Sequence, residues 1–168
     1  MKKILIFKTD RLGDLVNISP IINNLKLNYP NSSITLICSK YNKSIAKYYH
    51  NDVEHIVFEK PLIFFLLKNI KFLFFNNYDF IFQLDGKNHS YLTSILIKAK
   101  KKVCIRFVKS KKILGLLTYI NRPNFLINYF FDEQEISNEN YNIDNNINYH
   151  YLSLYLNLLK KLNIKILS

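Results

Sequence analysis

Short apolar runs alternate with amphipathic stretches along most of this chain. Ile4–Phe7 is a run of four apolar residues and predicts a buried strand. A polar turn follows, Lys8-Thr9-Asp10-Arg11-Leu12-Gly13-Asp14. Ile18, Ile21, Ile22 and Leu25 then recur at i, i+3, i+4 and i+7, the stripe of an amphipathic helix. Its start is open between two signals. Ser19-Pro20 reads as a cap with proline in the first turn. A start at Asp14 places Pro20 inside the helix, where it removes a hydrogen bond. Ser33–Cys38 predicts a second strand, Tyr41–Tyr49 a short helix and Glu54–Phe58 a third strand. Leu62–Phe75, opened by Pro61, predicts one apolar helix. Asp79–Leu84 predicts a fourth strand, Ser90–Ala99 a helix and Lys102–Phe107 a fifth strand. Strands alternating with helices point to parallel βαβ units with right-handed crossovers.

Beyond Phe107 the pattern weakens. Ile113–Ile120 is read as helical. Asp132 to Asn148 is rich in Asn, Asp and Glu with little apolar content, and reads as an exposed loop. Tyr151–Leu162 is a clear final helix, so a closing helical segment is expected over 150–164. No internal repeat is visible. The expected architecture is α/β: a single Rossmann-like domain over 1–168, an open parallel sheet with helices on both faces.

Composition agrees with one folded domain of 168 residues, 49% of them hydrophobic. Glycine and proline number 3 and 4, which excludes a fibrous chain or a linker. Charge adds more. The chain carries 24 Lys and Arg against 12 Asp and Glu, a net charge of +12. A bias toward Asn, Ile and Lys accounts for part of this excess. Attraction to an anionic partner is the functional reading: a phosphorylated substrate, a membrane surface or nucleic acid. Cys38 and Cys104 fit neither a metal spacing nor a disulfide framework and are read as buried thiols in a reducing cytoplasm. Pro61–Phe75 is interrupted by Lys68, Asn69 and Lys71, and is too short to span a bilayer, which takes about 20 apolar residues. It reads as a mostly buried helix whose exposed edge is available to a membrane interface.

Chemistry concentrates in two turns. An aspartate at a helix N-terminus sits among free N–H groups that favour its ionised form. So placed, Asp14 can take a proton from a substrate hydroxyl. A plain N-cap aspartate explains the same residue, and on spacing alone that is the commoner case. Asp10 and Arg11 read equally well as a surface ion pair. The second turn is Asp85-Gly86-Lys87-Asn88-His89-Ser90. Ligands of open α/β sheets bind at the carboxyl ends of strands, so both turns are expected on one rim. An ordinary Asp-Gly turn with a serine cap is the alternative. Lys98, Lys100, Lys101 and Lys102 read as a solvated helix end. Arg106, Lys109, Lys111 and Lys112 are candidates to face the rim. No G-x-G-x-x-G, P-loop or D-x-D is present, so dinucleotide, P-loop and metal-bridged nucleotide sites lack support. His50, His55, His89 and His150 are scattered, and no metal site is expected. Nucleic acid is not expected as a partner, since no recognised module is present.

The stretch ILIFKTDRLGDLVNISPIINNLKLNYPNSSITLIC resembles the N-terminal domain of glycosyltransferase family 9, the ADP-heptose:lipopolysaccharide heptosyltransferases. The shared pattern is a strand, a basic residue, x-D-x-x-G-D, Ser/Thr-Pro, a helix ending in Tyr-Pro, and a second strand. NDVEHIVFEK and YDFIFQLDGKNHS continue it, and NYHYLSLYLNLLKKLNI is similar to the family's closing histidine-led helix. Two departures are local: Gln83 where an acid is usual, and Cys104 where glycine is frequent.

The resemblance implies the N-terminal, acceptor-side half of a GT-B enzyme. It implies inverting, metal-independent transfer in lipopolysaccharide or other cell-surface glycan biosynthesis. Asp14 would be the general base. Lys8, Asp10, Arg11, Gly13, Asp85, Gly86 and Lys87 would bind the acceptor. No bound cofactor is implied; a nucleotide sugar such as ADP-heptose would be the co-substrate. The C-terminal donor-binding domain is expected to be absent from this chain, leaving it inactive alone. Three explanations stay open: a split enzyme with a second chain, a truncated product, or a non-catalytic binding module. The expected partner is an anionic glycolipid or glycan acceptor. The expected location is cytoplasmic, peripheral on the inner face of the cytoplasmic membrane.

Overall fold

The structure is a computed structural model. It describes residues 1–49, 52–113, 116–120, 128–138 and 151–166. The first strand, β1 (Lys3–Lys8), forms the middle of the sheet and pairs in parallel with β2 (Ser33–Ser39) on one side and β4 (Tyr78–Gln83) on the other. β3 (Glu54–Phe58) lies outside β2, and β5 (Ala99–Ile113) outside β4, both parallel. Strand β7 (Glu133–Asn138) pairs in parallel with β5 at Val103–Val108, so the parallel order is β3-β2-β1-β4-β5-β7. This is the doubly wound order, with its switch between β1 and β4. The far end of β5 leaves that sheet and forms an antiparallel hairpin with β6 (Leu116–Ile120).

Strands buried on both faces read as continuous apolar runs. In β1, Ile4 and Ile6 face one core cluster while Leu5 and Phe7 face another. The first cluster is closed by α1 (Leu12–Val16), α2 (Ser19–Asn28), α3 (Lys43–Tyr49) and the final helix α7 (Tyr151–Lys161), through Leu15, Ile21, Ala46 and Leu158. The second is closed by α4 (Leu62–Lys68) and α5 (Ile70–Phe74), through Phe65 and Leu73. A third, small cluster joins Tyr91 of α6 (Asn88–Leu96) to Cys104 and Phe131. Helices therefore cover both faces, as expected. Cys38 and Cys104 are buried thiols, not joined in a disulfide.

Several local expectations are corrected. The segment forms two separate helices: α1 starts at Leu12 rather than Asp14, and α2 starts at Ser19 with Ile18, not Ser19, at its N-cap; Pro20 falls in the first turn of α2, where its missing N–H costs nothing. Leu62–Phe75 is two helices, divided at Asn69, whose side chain amide donates to the Phe65 carbonyl at 2.8 Å. Ile113–Ile120 is not helical: β5 runs to Ile113 and β6 follows. Ile113, Leu116, Leu117 and Ile120 happen to fall at i, i+3, i+4 and i+7, but non-local pairing with the end of β5 overrides that spacing. The Asp132–Asn148 loop contains a strand, β7; its EQEISN sequence is polar because it is an edge strand, where charge is tolerated and protective. The remainder of that loop, with His150, lies outside the described residues. The lysine run is not a helix end: α6 stops at Leu96, and Lys100, Lys101 and Lys102 lie within β5. Lys100 pairs with Asp79 at 2.8 Å and Lys101 with Asp132 at 3.6 Å.

Candidate functional site

The carboxyl ends of β1 and β4 lie side by side, and the two predicted turns meet there. Leu84 N–H donates to the Phe7 carbonyl at 3.1 Å, which locks the strand ends together. Asp85 is the centre of the join. Its Oδ2 accepts from Thr9 N at 2.9 Å, Thr9 Oγ1 at 2.6 Å and Ser90 Oγ at 2.7 Å. Its Oδ1 accepts from Gln83 Nε2 and Lys87 N, both at 2.9 Å. Gly86 makes the turn possible, at φ 61°, a left-handed conformation that costs other residues free energy. The Thr9 hydroxyl has one proton, which goes to Asp85. His89 Nε2, 2.9 Å away, is therefore the donor to Thr9 Oγ1. The His89 ring stacks on Phe58 at the end of β3, with centroids 3.9 Å apart and planes at 10°.

Lys8 is buried beneath this rim. Being in register with Ile4 and Ile6, it points toward the face covered by α7. Its ammonium donates to Asp10 Oδ2 at 2.9 Å and to the Leu84 carbonyl at 3.0 Å, and lies 5.6 Å from the centre of the Tyr155 ring. Burial alone works against the ammonium, but Tyr155 and Asp10 outweigh it, and Lys8 titrates above its ordinary value. Asp10 shows the opposite balance. Burial pushes its carboxyl up to about 6, against the pull of Lys8, with the charges of Asp85 and Asp14 adding to the rise. Its Oδ1 is buried and accepts no hydrogen bond from the described residues. The partner of Asp10 is thus Lys8, not Arg11. The Asp10 carbonyl accepts from Asn42 Nδ2 at 2.7 Å, tying the turn to the start of α3.

Above this layer lie Arg11, exposed at the N-cap of α1, then Gly13 and Asp14 in its first turn. Asp14 is half-buried and makes no hydrogen bond or ion pair with the described residues. A Cβ added to Gly13 would meet nothing within 4 Å, so the space over the turn is open. Lys87 is exposed on the β4 side of the rim.

The eight residues that the resemblance points to therefore occur at one rim, in two layers. Lys8, Asp10, Asp85 and Gly86 form a fixed lower layer. Arg11, Gly13, Asp14 and Lys87 line its open side. Tyr155, Asn42 and Phe58 complete the lower layer from distant elements, and no local pattern marks them. Arg106 is buried within β5 rather than presented beyond its end; the side chains of Lys109, Lys111 and Lys112 lie outside the described residues. Among the described residues, no three His, Cys, Asp or Glu are grouped to hold a metal ion.

No family model matches the chain, and neither does any curated protein sequence. Solved structures do match. A glycosyltransferase family 9 protein from Veillonella parvula aligns over 98% of this chain and 42% of its own, with TM-score 0.67 and 18% identity. The heptosyltransferase WaaC of E. coli, solved with ADP, aligns over 99% of this chain and 48% of its own, with TM-score 0.66 and 16% identity. The same enzyme with ADP-2-deoxy-2-fluoro heptose aligns with TM-score 0.64. The chain thus spans at most half the length of these structures, and its fold is the Rossmann-like, GT-B type unit that they contain.

Proposed function

We propose that this chain is the acceptor-side half of a family-9-like glycosyltransferase of cell-surface glycan biosynthesis. One observation carries the reading: Asp14, with no partner among the described residues, stands over an open, cation-flanked rim at the switch point of this fold. In this reading Asp14 accepts the proton of an acceptor hydroxyl as that oxygen attacks the anomeric carbon of a nucleotide sugar. The nucleoside diphosphate leaves from the opposite face of the sugar, so configuration inverts. Arg11 and Lys87, exposed on either side, attract a phosphorylated or carboxylated acceptor such as a lipopolysaccharide core. Lys8, Asp10 and Asp85 hold the turn in place beneath. In this reading a donor-binding unit faces the rim and holds the nucleotide sugar.

The test is glycosyl transfer measured with a donor-domain protein added to this chain. Removing a general base is expected to lower turnover about 100-fold or more, so Asp14→Asn should show that loss with little change in acceptor affinity. Equal turnover in the two proteins removes Asp14 from the chemistry. The net charge of +12 supports a second reading, a module that binds anionic glycolipid without catalysis. That reading expects binding that weakens steeply with salt and is indifferent to Asp14→Asn.

A further inference from the structure

The segment 61–75 is apolar on two sides. One side packs on the sheet, through Phe65 and Leu73. The other faces out: Ile63, Leu67, Ile70 and Phe74 follow one another at helical spacing along α4 and α5 and are exposed, with Phe64 and Phe75 beside them. Ile63 and Phe64 are each 69% exposed, and Phe75 is 81% exposed. Scattered exposed apolar residues are ordinary, but a contiguous helical stripe of them marks a binding surface. Its charge says what kind. Lys60, Lys68 and Lys71 are exposed around the stripe, and no carboxylate occurs between Pro61 and Tyr78. Lys68 meets Glu59 in an ion pair exposed on both sides, which is worth little and is easily exchanged.

We propose that this outward face of α4 and α5 docks on an anionic phospholipid bilayer, lying in the interface and not crossing it. The composition separates a membrane from a protein partner. Cores of protein interfaces are depleted of lysine. At a bilayer interface, lysine stems lie along the apolar surface while their ammonium groups reach the headgroups, and Phe, Leu and Ile enter the acyl boundary. Neither helix is long enough to span, and no helix among the described residues is long and apolar enough to cross a membrane. The site lies beside the rim, since β3 ends at Phe58, whose ring stacks on His89, and α4 begins four residues later. Docking does not depend on Asp14 being a base, so the two proposals fail separately.

The chain contains no tryptophan, so a single one can report on this face. The experiment titrates Phe64→Trp with vesicles of phosphatidylglycerol mixed into phosphatidylcholine, and with phosphatidylcholine alone. Leu27→Trp, on α2 over the opposite sheet face and 58% exposed in the parent chain, is the control. The expected result is a blue shift for Phe64→Trp with the anionic vesicles and quenching by brominated acyl chains. Leu27→Trp should show neither. Lys68→Gln and Lys71→Gln should each weaken vesicle affinity about fivefold at low salt. Ile63→Ser with Leu67→Ser, circular dichroism unchanged, should abolish binding. No response to anionic vesicles, an equal response from Leu27→Trp, or a blue shift that grows with protein concentration without lipid overturns the proposal. The last result assigns the face to a second copy of the chain.

Discussion

Lys8 keeps a positive charge in the core because three groups around it favour that charge: Asp10, the Leu84 carbonyl and Tyr155. Removing one partner of a buried ion pair typically costs about 3–5 kcal/mol, because the other charge stays behind unpaired. Asp10→Ala is therefore expected to destabilise the chain by about 3 kcal/mol, and adding Lys8→Met to it should recover part of the loss, measured by urea unfolding of both variants. The pH behaviour of Asp10 is equally definite. Its folded carboxyl titrates at about 6 against an ordinary 3.8, so the folded state holds this proton over a range where the unfolded chain has released it. Its contribution to stability is therefore largest below pH 4 and falls as pH rises from about 4 to 6. A carboxyl carbon titration by NMR should place the midpoint near 6. Lys8→Met, which removes the attraction that lowers it, should move that midpoint upward. Part of this was readable in advance: x-D-x-x-G-D marked the residues, but their division into a buried layer and an open one was not. Asp10 and Asp14 are both acids in one turn, and only the direction of β1 decides that Lys8 points under α7 and draws Asp10 down with it.

At the scale of elements, turns are the most legible feature and caps are not: Arg11, Ile18 and Lys87 hold the N-cap positions, rather than Asp14, Ser19 and Ser90. Asp85-Gly86 between a strand and a helix announces a special backbone, and Gly86 has the positive φ that such a position requires. Gly86→Ala should cost about 1–2 kcal/mol, seen as a lower urea midpoint with an unchanged slope. The loss is expected to extend to the rim, because Asp85, next to that residue, accepts from Lys87 N–H within the turn and from Thr9 N–H and Oγ1–H across to the end of β1. Elements whose sequence is set by their neighbours were read poorly. β7 is polar because it sits at the sheet edge and is held by backbone pairing with β5, with Glu135 reaching Lys161 of α7 at 2.7 Å. Leu116–Ile120 continues a helical spacing yet is a strand, because its partner is the far end of β5. In both cases the deciding contact is remote from the local pattern.

At the scale of the molecule, the amino end of the sheet has its own electrostatic clasp. Asp79 accepts from Lys100 Nζ at 2.8 Å, Lys3 N at 3.0 Å and Lys2 Nζ at 3.3 Å, joining β1, β4 and β5. The hydrogen bond from Lys100 leads in holding this carboxyl down to about 2, with Lys3 N–H and Lys2 adding to it. A depressed folded pKa stabilises above the unfolded value of 3.8, and that stabilisation is lost as pH falls toward 2. Asp79→Asn should lower stability at neutral pH and flatten its decline between pH 4 and 2, measured as urea midpoint against pH. The sequence by itself determined the class of fold, the strand order to Phe107 and the two turns that meet at the rim, because apolar period, glycine and proline act locally. Tertiary structure alone decided that β7 completes the sheet, that Tyr155 closes over Lys8, and that one side of α4 and α5 is left facing out. Each of these depends on contacts between residues far apart in the chain, and those contacts exist only once the sheet is assembled.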